Sequence, residues 1–188
     1  METPKTPMKA LYLIAILPPS EQAGVIDALR RECSEKYQVF RALRPPVHMT
    51  LYKPVWLSSE QEDLLIREMR LAGAQQQGFI QEAADFSKFS NRVLYLRAVA
   101  NPELVALQRR IARVFSDSGF DPDGGNNDAY HPHFTLAYRD VTPEKIQEMW
   151  KEYQDRRFRI TFPADHFSIL KHDGKKWQVL EEIPLKTA

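Results

Sequence analysis

Apolar positions along the chain follow two periods, and the switches between them predict alternating strands and helices. Lys9 to Leu17 is a short apolar run closed by Pro18-Pro19 and reads as a buried strand. Ser20 stands as N-cap of a helix from Glu21 to Lys36, because Val25, Ile26, Leu29 and Cys33 fall on one face. Arg44-Pro45-Pro46 interrupts the chain. Val47 to Trp56 then reads as a strand that Pro54 confines to an edge or an end, since proline has no N–H for a ladder. Ser58 caps a helix over Ser59 to Gln76, with Leu64, Leu65, Met69 and Leu71 as its apolar side.

Two further strands, Phe79 to Phe89 and Arg92 to Val99, are joined by a tight turn at Ser90-Asn91. Asn101 as N-cap and Pro102 at the first position open a helix to Ser118, and Gly119 stops it. Its face is Leu104, Leu107, Ile111, Val114 and Phe115. Asp121 to Asn127 is the most loop-like stretch. Tyr130 to Tyr138 is extended, and Thr142-Pro143-Glu144 starts a fourth helix to about Gln154. Two closing strands, Phe158 to Lys171 and Lys176 to Pro184, turn at Asp173-Gly174. The class is α+β, and the order of elements in the second half weakly repeats that of the first.

The 188 residues suit one compact domain or two small lobes sharing a core. With 43% hydrophobic residues, the fold needs no disulfide or metal to hold it. The net charge of +1 excludes a global basic field for duplex nucleic acid, but not a substrate carrying a few phosphates. The single cysteine, Cys33, reads as an ordinary helix residue. The opening residues lack a signal peptide's basic start and apolar run, and no apolar stretch approaches a membrane helix. A cytoplasmic location and no membrane partner are expected.

One tetrapeptide pattern, His-x-Thr-Leu, occurs twice, as His48-Met49-Thr50-Leu51 and His133-Phe134-Thr135-Leu136. Alternate residues of a strand share a face, so each copy presents an imidazole and a hydroxyl about 6–7 Å apart along the chain. Met49, Leu51, Phe134 and Leu136 point the other way, into a core. Two such strands side by side make a cleft with two histidines and two threonines. Phosphodiester cleavage needs that set: one group takes a proton from water and another gives one to the leaving oxygen. Histidine does either near neutral pH. Threonine hydroxyls donate to the non-bridging oxygens. The bland alternative is two half-buried histidines in unrelated strands.

With these residues the chain resembles the two-histidine phosphoesterase superfamily, in its LigT-like branch of 2'-5' RNA ligases and RNA 2',3'-cyclic phosphodiesterases. The resemblance rests on His48-Met49-Thr50-Leu51 and Pro132-His133-Phe134-Thr135-Leu136-Ala137, helped by the opening strand and the closing hairpin. It implies two similar α+β lobes, each with an antiparallel sheet, around a central cleft. It implies His48, Thr50, His133 and Thr135 as catalytic residues, with His133 favoured as base and His48 as acid. The implied partner is an RNA end or a small nucleotide phosphodiester. Other small cyclic diesters, such as an ADP-ribose cyclic phosphate, and a binding module without turnover are the alternatives.

Other residues are weighed against plainer roles. Tyr52 continues the face of His48 and Thr50 and is a candidate for stacking on a base; Tyr12 and Tyr130 carry weaker claims. His131-Pro132-His133 has a spacing seen in metal sites, but no Asp or Glu partner is placed. No metal and no cofactor is expected, and His131 is a cleft-edge candidate. Lys53, Arg139 and the run Arg156-Arg157-Phe158-Arg159 read chiefly as solvated charge. His166 and His172 read as strand-surface residues of the closing hairpin.

Overall fold

In the computed structural model, which describes residues 8–122, 124 and 130–187, eight strands form two antiparallel four-stranded sheets. The apolar run at the start becomes β1 (Lys9–Ile16). α1 (Ser20–Tyr37) follows, with Pro19 rather than Ser20 at the N-cap and Gln38 closing it in the left-handed region. A 3₁₀ turn at Arg41–Leu43 leads to β2 (Met49–Ser58), then α2 (Ser59–Gly73). Ser58 and Gln61 close α2's N-terminus as a reciprocal capping box. β3 (Phe79–Phe89) and β4 (Val93–Ala98) form a hairpin. α3 (Pro102–Asp117) is capped by Asn101, whose side chain accepts from Leu104 N at 2.7 Å. β5 (His133–Tyr138) and α4 (Pro143–Tyr153, capped by Thr142) precede β6 (Arg159–Ala164), β7 (His166–His172) and β8 (Trp177–Pro184).

The first sheet runs β2-β1-β7-β8 and the second β5-β4-β3-β6. Each His-x-Thr strand is therefore an edge strand, which is where Pro54 is tolerated. The single strand expected over Phe158 to Lys171 is in fact two. β6 ends in the second sheet, Asp165 turns the chain, and β7 enters the middle of the first. Leu185 N bonds to the Asp165 carbonyl at 2.8 Å, which ties this crossing to the end of β8. The α2 face also differs: Leu65, Met69, Ala72 and Gly73 are buried, whereas Leu71 is turned to solvent. Gly73 is needed there, because a Cβ would lie 2.7 Å from the Pro184 carbonyl. The loop expected over Asp121 to Asn127 lies mostly outside the described residues.

The helices cover the sheets by exchange. α2 packs on β2, β7 and β8, and α4 on β3 and β4. α1, although it connects two strands of the first sheet, packs on β5 and β6 of the second. α3, which follows β4 of the second sheet and leads back to β5, packs on β2 of the first. One hydrophobic core consequently runs through both halves, from Ile26 and Cys33 to Phe115 and Ile183. Ion pairs Lys36–Glu152 (2.5 Å) and Arg156–Glu32 (2.5 Å) reinforce α1 against the second half. Cys33 is inside this core, where burial pushes its thiol up to about 11.

Candidate active site

The two histidine strands are brought together at the junction of the sheets. β2 and β5 approach within 8 Å between Cα atoms. Tyr130, just ahead of β5, reaches across and donates its hydroxyl to the Thr50 carbonyl at 3.0 Å. The edge strands are thus clasped by one phenol, next to both motifs.

Each imidazole is fixed in the same way. His48 Nδ1 sits 2.8 Å from the Pro46 carbonyl, and His133 Nδ1 sits 2.7 Å from the His131 carbonyl. A carbonyl can only accept, so Nδ1 carries the proton in both rings. Nε2 is then the nitrogen left for a substrate: an acceptor when the ring is neutral, a donor when it is charged. Burial lowers the pKa of both histidines below the usual 6.5. The nearby charges of Arg30 and His133 lower His48 further, and that of His131 lowers His133.

Their supports differ. Arg30 lies on the buried side of α1, 3% exposed. It pairs with Asp27 at 3.3 Å and donates to the carbonyls of Ala42 and Pro45, the latter at 2.9 Å. It therefore braces the loop whose next carbonyl, Pro46, holds His48. Arg30 is a functional residue with only a faint mark in the sequence. The signal was an arginine inside the apolar stripe Ile26, Leu29, Cys33 of α1. His133 is instead walled by rings: Phe89 at 5.0 Å edge-on and Tyr95 at 5.1 Å, the two stacked at 4.2 Å.

Strand register assigns the faces. Ala15 pairs with Thr50 and Ser168, and Leu13 with Leu170, so these residues share the His48 side of the first sheet. Leu13, Ala15 and Leu170 form a hydrophobic cluster separate from the main core. On the second sheet, Arg97 pairs with His133 and Tyr95 with Thr135. Tyr95, Arg97, Tyr130 and His131 line a pocket of about 330 Å³ beside His133.

Two tyrosine expectations are corrected. A β-bulge between the pairs Ile14–Tyr52 and Ala15–Thr50 inserts Leu51, so Leu51 and Tyr52 both turn to the core. Tyr52 stacks on Phe115 at 3.9 Å and donates to Asp121 at 3.0 Å. Tyr12 is 0% exposed on the core side and donates to Glu62 at 2.6 Å. Neither ring is open to a base. Tyr130 stays at the site, as the clasp. Lys53 pairs with Asp121 at 3.0 Å, and Arg139 lies over the Tyr138 ring at 4.8 Å. Arg156, Arg157 and Arg159 each pair with a carboxylate: Glu32, Asp85 and Glu82. Among the described residues no group of three or more His, Cys, Asp or Glu is gathered for a metal, and no helix is long and apolar enough to cross a membrane.

The chain is similar in sequence and in fold to known proteins. Residues 18–176 match the model of the 2'-5' RNA ligase superfamily. A Geobacillus sp. (strain WCH70) protein named as a phosphoesterase is 24% identical over 173 residues, covering 90% of this chain and 93% of its own. E. coli LigT, solved with 3'-AMP, superposes with a TM-score of 0.66 at 21% identity, over 95% of this chain and 99% of its own. TT0787 of Thermus thermophilus does so with a TM-score of 0.56 at 20% identity, over 94% and 98%. At these identities the two structures speak for the fold.

Proposed function

The chain belongs to the 2'-5' RNA ligase superfamily of phosphoesterases, and from that membership we propose that it is a metal-independent phosphodiesterase acting on 2',3'-cyclic phosphate ends of RNA or nucleotides. The observation that carries the reading is the matched pair of Nδ1–carbonyl bonds on two neighbouring edge strands, which leaves Nε2 of each ring for a substrate; Thr50 and Thr135 follow the histidines on the same strands. Those four groups form a complete acid–base apparatus with no further reagent. His133 takes the proton from the attacking water. The water oxygen bonds to phosphorus, and the bond to the ribose O3' breaks. His48 protonates that departing oxygen and leaves a 2'-phosphate. Thr50 and Thr135 donate to the non-bridging oxygens, where charge accumulates. That LigT has been solved with 3'-AMP supports a nucleotide as the substrate's core.

The test is product analysis with 2',3'-cyclic AMP and an RNA ending in a cyclic phosphate, with and without chelator. ADP-ribose 1'',2''-cyclic phosphate serves as the competing small diester. A 2'-phosphate product formed at the same rate with chelator is expected. Turnover of the ADP-ribose diester alone, or turnover that chelator abolishes, overturns the proposal.

A further inference from the structure

The cleft side of the first sheet continues well past the histidines. Beyond the lines through Ala15 and Leu13, register sets Trp56, Leu11, His172 and Trp177 in a third line on the same face. Leu11 is four residues from Ala15, so this line lies roughly 13 Å from Thr50 along the strands. The base of a nucleotide reacting at the histidines does not reach it; the strand that precedes that nucleotide does. The ground between is aliphatic: Leu13 and Leu170 are buried there with Trp177 packed against them, and Val179 beside them is exposed.

The far line is built for a planar ligand. Trp56 is 64% exposed, unusual for the largest apolar side chain on an edge strand. Trp177 is held edge-on to His172 at 5.1 Å, and His172 Nδ1 is pinned by the Gly174 N–H at 3.1 Å. Exposed lysines flank the line: Lys9 at the start of β1, and Lys175 and Lys176 in the β7–β8 turn. The turn's own carboxylate, Asp173, is occupied by the backbone N–H groups of Lys175 and Lys176 and by Gln178. Aromatic platforms with cations beside them are how proteins hold single-stranded nucleic acid without reading its sequence.

We propose that this face is a track for single-stranded RNA leading into the catalytic cleft, with Trp56 and Trp177 as base-stacking platforms. It rests on the phosphodiesterase reading, and it makes an RNA end, rather than a free mononucleotide, the preferred substrate.

The experiment has a binding arm that needs no turnover. Anisotropy of a labelled RNA pentanucleotide ending in a 3'-phosphate is measured, with 3'-AMP as competitor. The wild-type protein is expected to bind the pentanucleotide at least tenfold more tightly than 3'-AMP. Trp56→Ala and Trp177→Ala each weaken pentanucleotide binding about tenfold, and Trp56→Phe restores most of it. Equal affinity for both ligands, or alanine variants that bind as the wild type does, overturns the track. So does the finding that the alanine variants abolish a dimer and leave RNA affinity unchanged, because the face is then an interface between copies. If the RNA preference holds but no cyclic phosphate is opened, the reaction is wrong and the track stands.

Discussion

The two halves carry the same tetrapeptide on the same kind of edge strand and support it by different means. Behind His48 stands a buried cation, Arg30, bracing a proline-containing loop. Beside His133 stand two stacked rings, Phe89 and Tyr95. Even the sheet faces beside the motifs differ: a buried aliphatic cluster of Leu13, Ala15 and Leu170 on one, a pocket lined by Tyr95 and Arg97 on the other. What the halves share is the bond from Nδ1 to the carbonyl two residues earlier. The comparison teaches that the orientation of the imidazole is what the two halves hold in common. Charge and aromatic packing are two ways of supporting it.

The largest expected effect tests whether the histidines are equal partners. His48→Ala and His133→Ala should each lower kcat on 2',3'-cyclic AMP by roughly 10²–10⁴. The double variant should lose little more, as expected of an acid–base pair that acts as a unit. Loss at only one position would break the equivalence. Thr50→Val and Thr135→Val keep shape and β-propensity while removing the donor, and each should cost roughly 10² in kcat. Unequal losses would show which wall carries more of the phosphate charge.

A smaller effect separates charge from rings. Arg30→Met leaves the Ala42 and Pro45 carbonyls without their donor and should destabilise the fold by about 2–3 kcal/mol in urea titration. Phe89→Leu should cost about 1 kcal/mol. The pH profile sharpens the same contrast. The base works only when neutral, so rate is lost as pH falls through its pKa; the acid works only when charged, so rate is lost as pH rises through its own. Both histidines are held below 6.5, so kcat/KM should peak on the acid side of 6.5. Removing Arg30 raises His48, and with His48 as acid the alkaline limb should move up. An acid limb that moves instead would exchange the two roles. On the same small scale as Phe89→Leu, Tyr130→Phe removes the clasp to Thr50 and should cost about 1 kcal/mol.

Much of this was legible from local patterns. Element order, the edge position of the Pro54 strand and the caps at Ser58, Asn101 and Thr142 all follow from residues near in sequence. The motif strands bury Met49, Leu51, Phe134 and Leu136 as alternation requires. The misreadings were non-local. The period-two pattern from Phe158 to Lys171 carries no mark of the change of sheet at Asp165. Alternation put Tyr52 with His48 until one bulge reversed it. Arg30 looks like any helix arginine until its loop folds over it. His172 and Trp177 join the His48 face only because β7 and β8 line up beside β1, a pairing no local window contains.

The exchange of α1 and α3 bears on how the molecule comes apart. Either half, cut from the other, would expose the sheet surface that its neighbour's helix covers, and its own crossing helix would have nothing to cover. The halves therefore melt as one cooperative unit, and the histidines that β2 and β5 bring together are lost in the same transition.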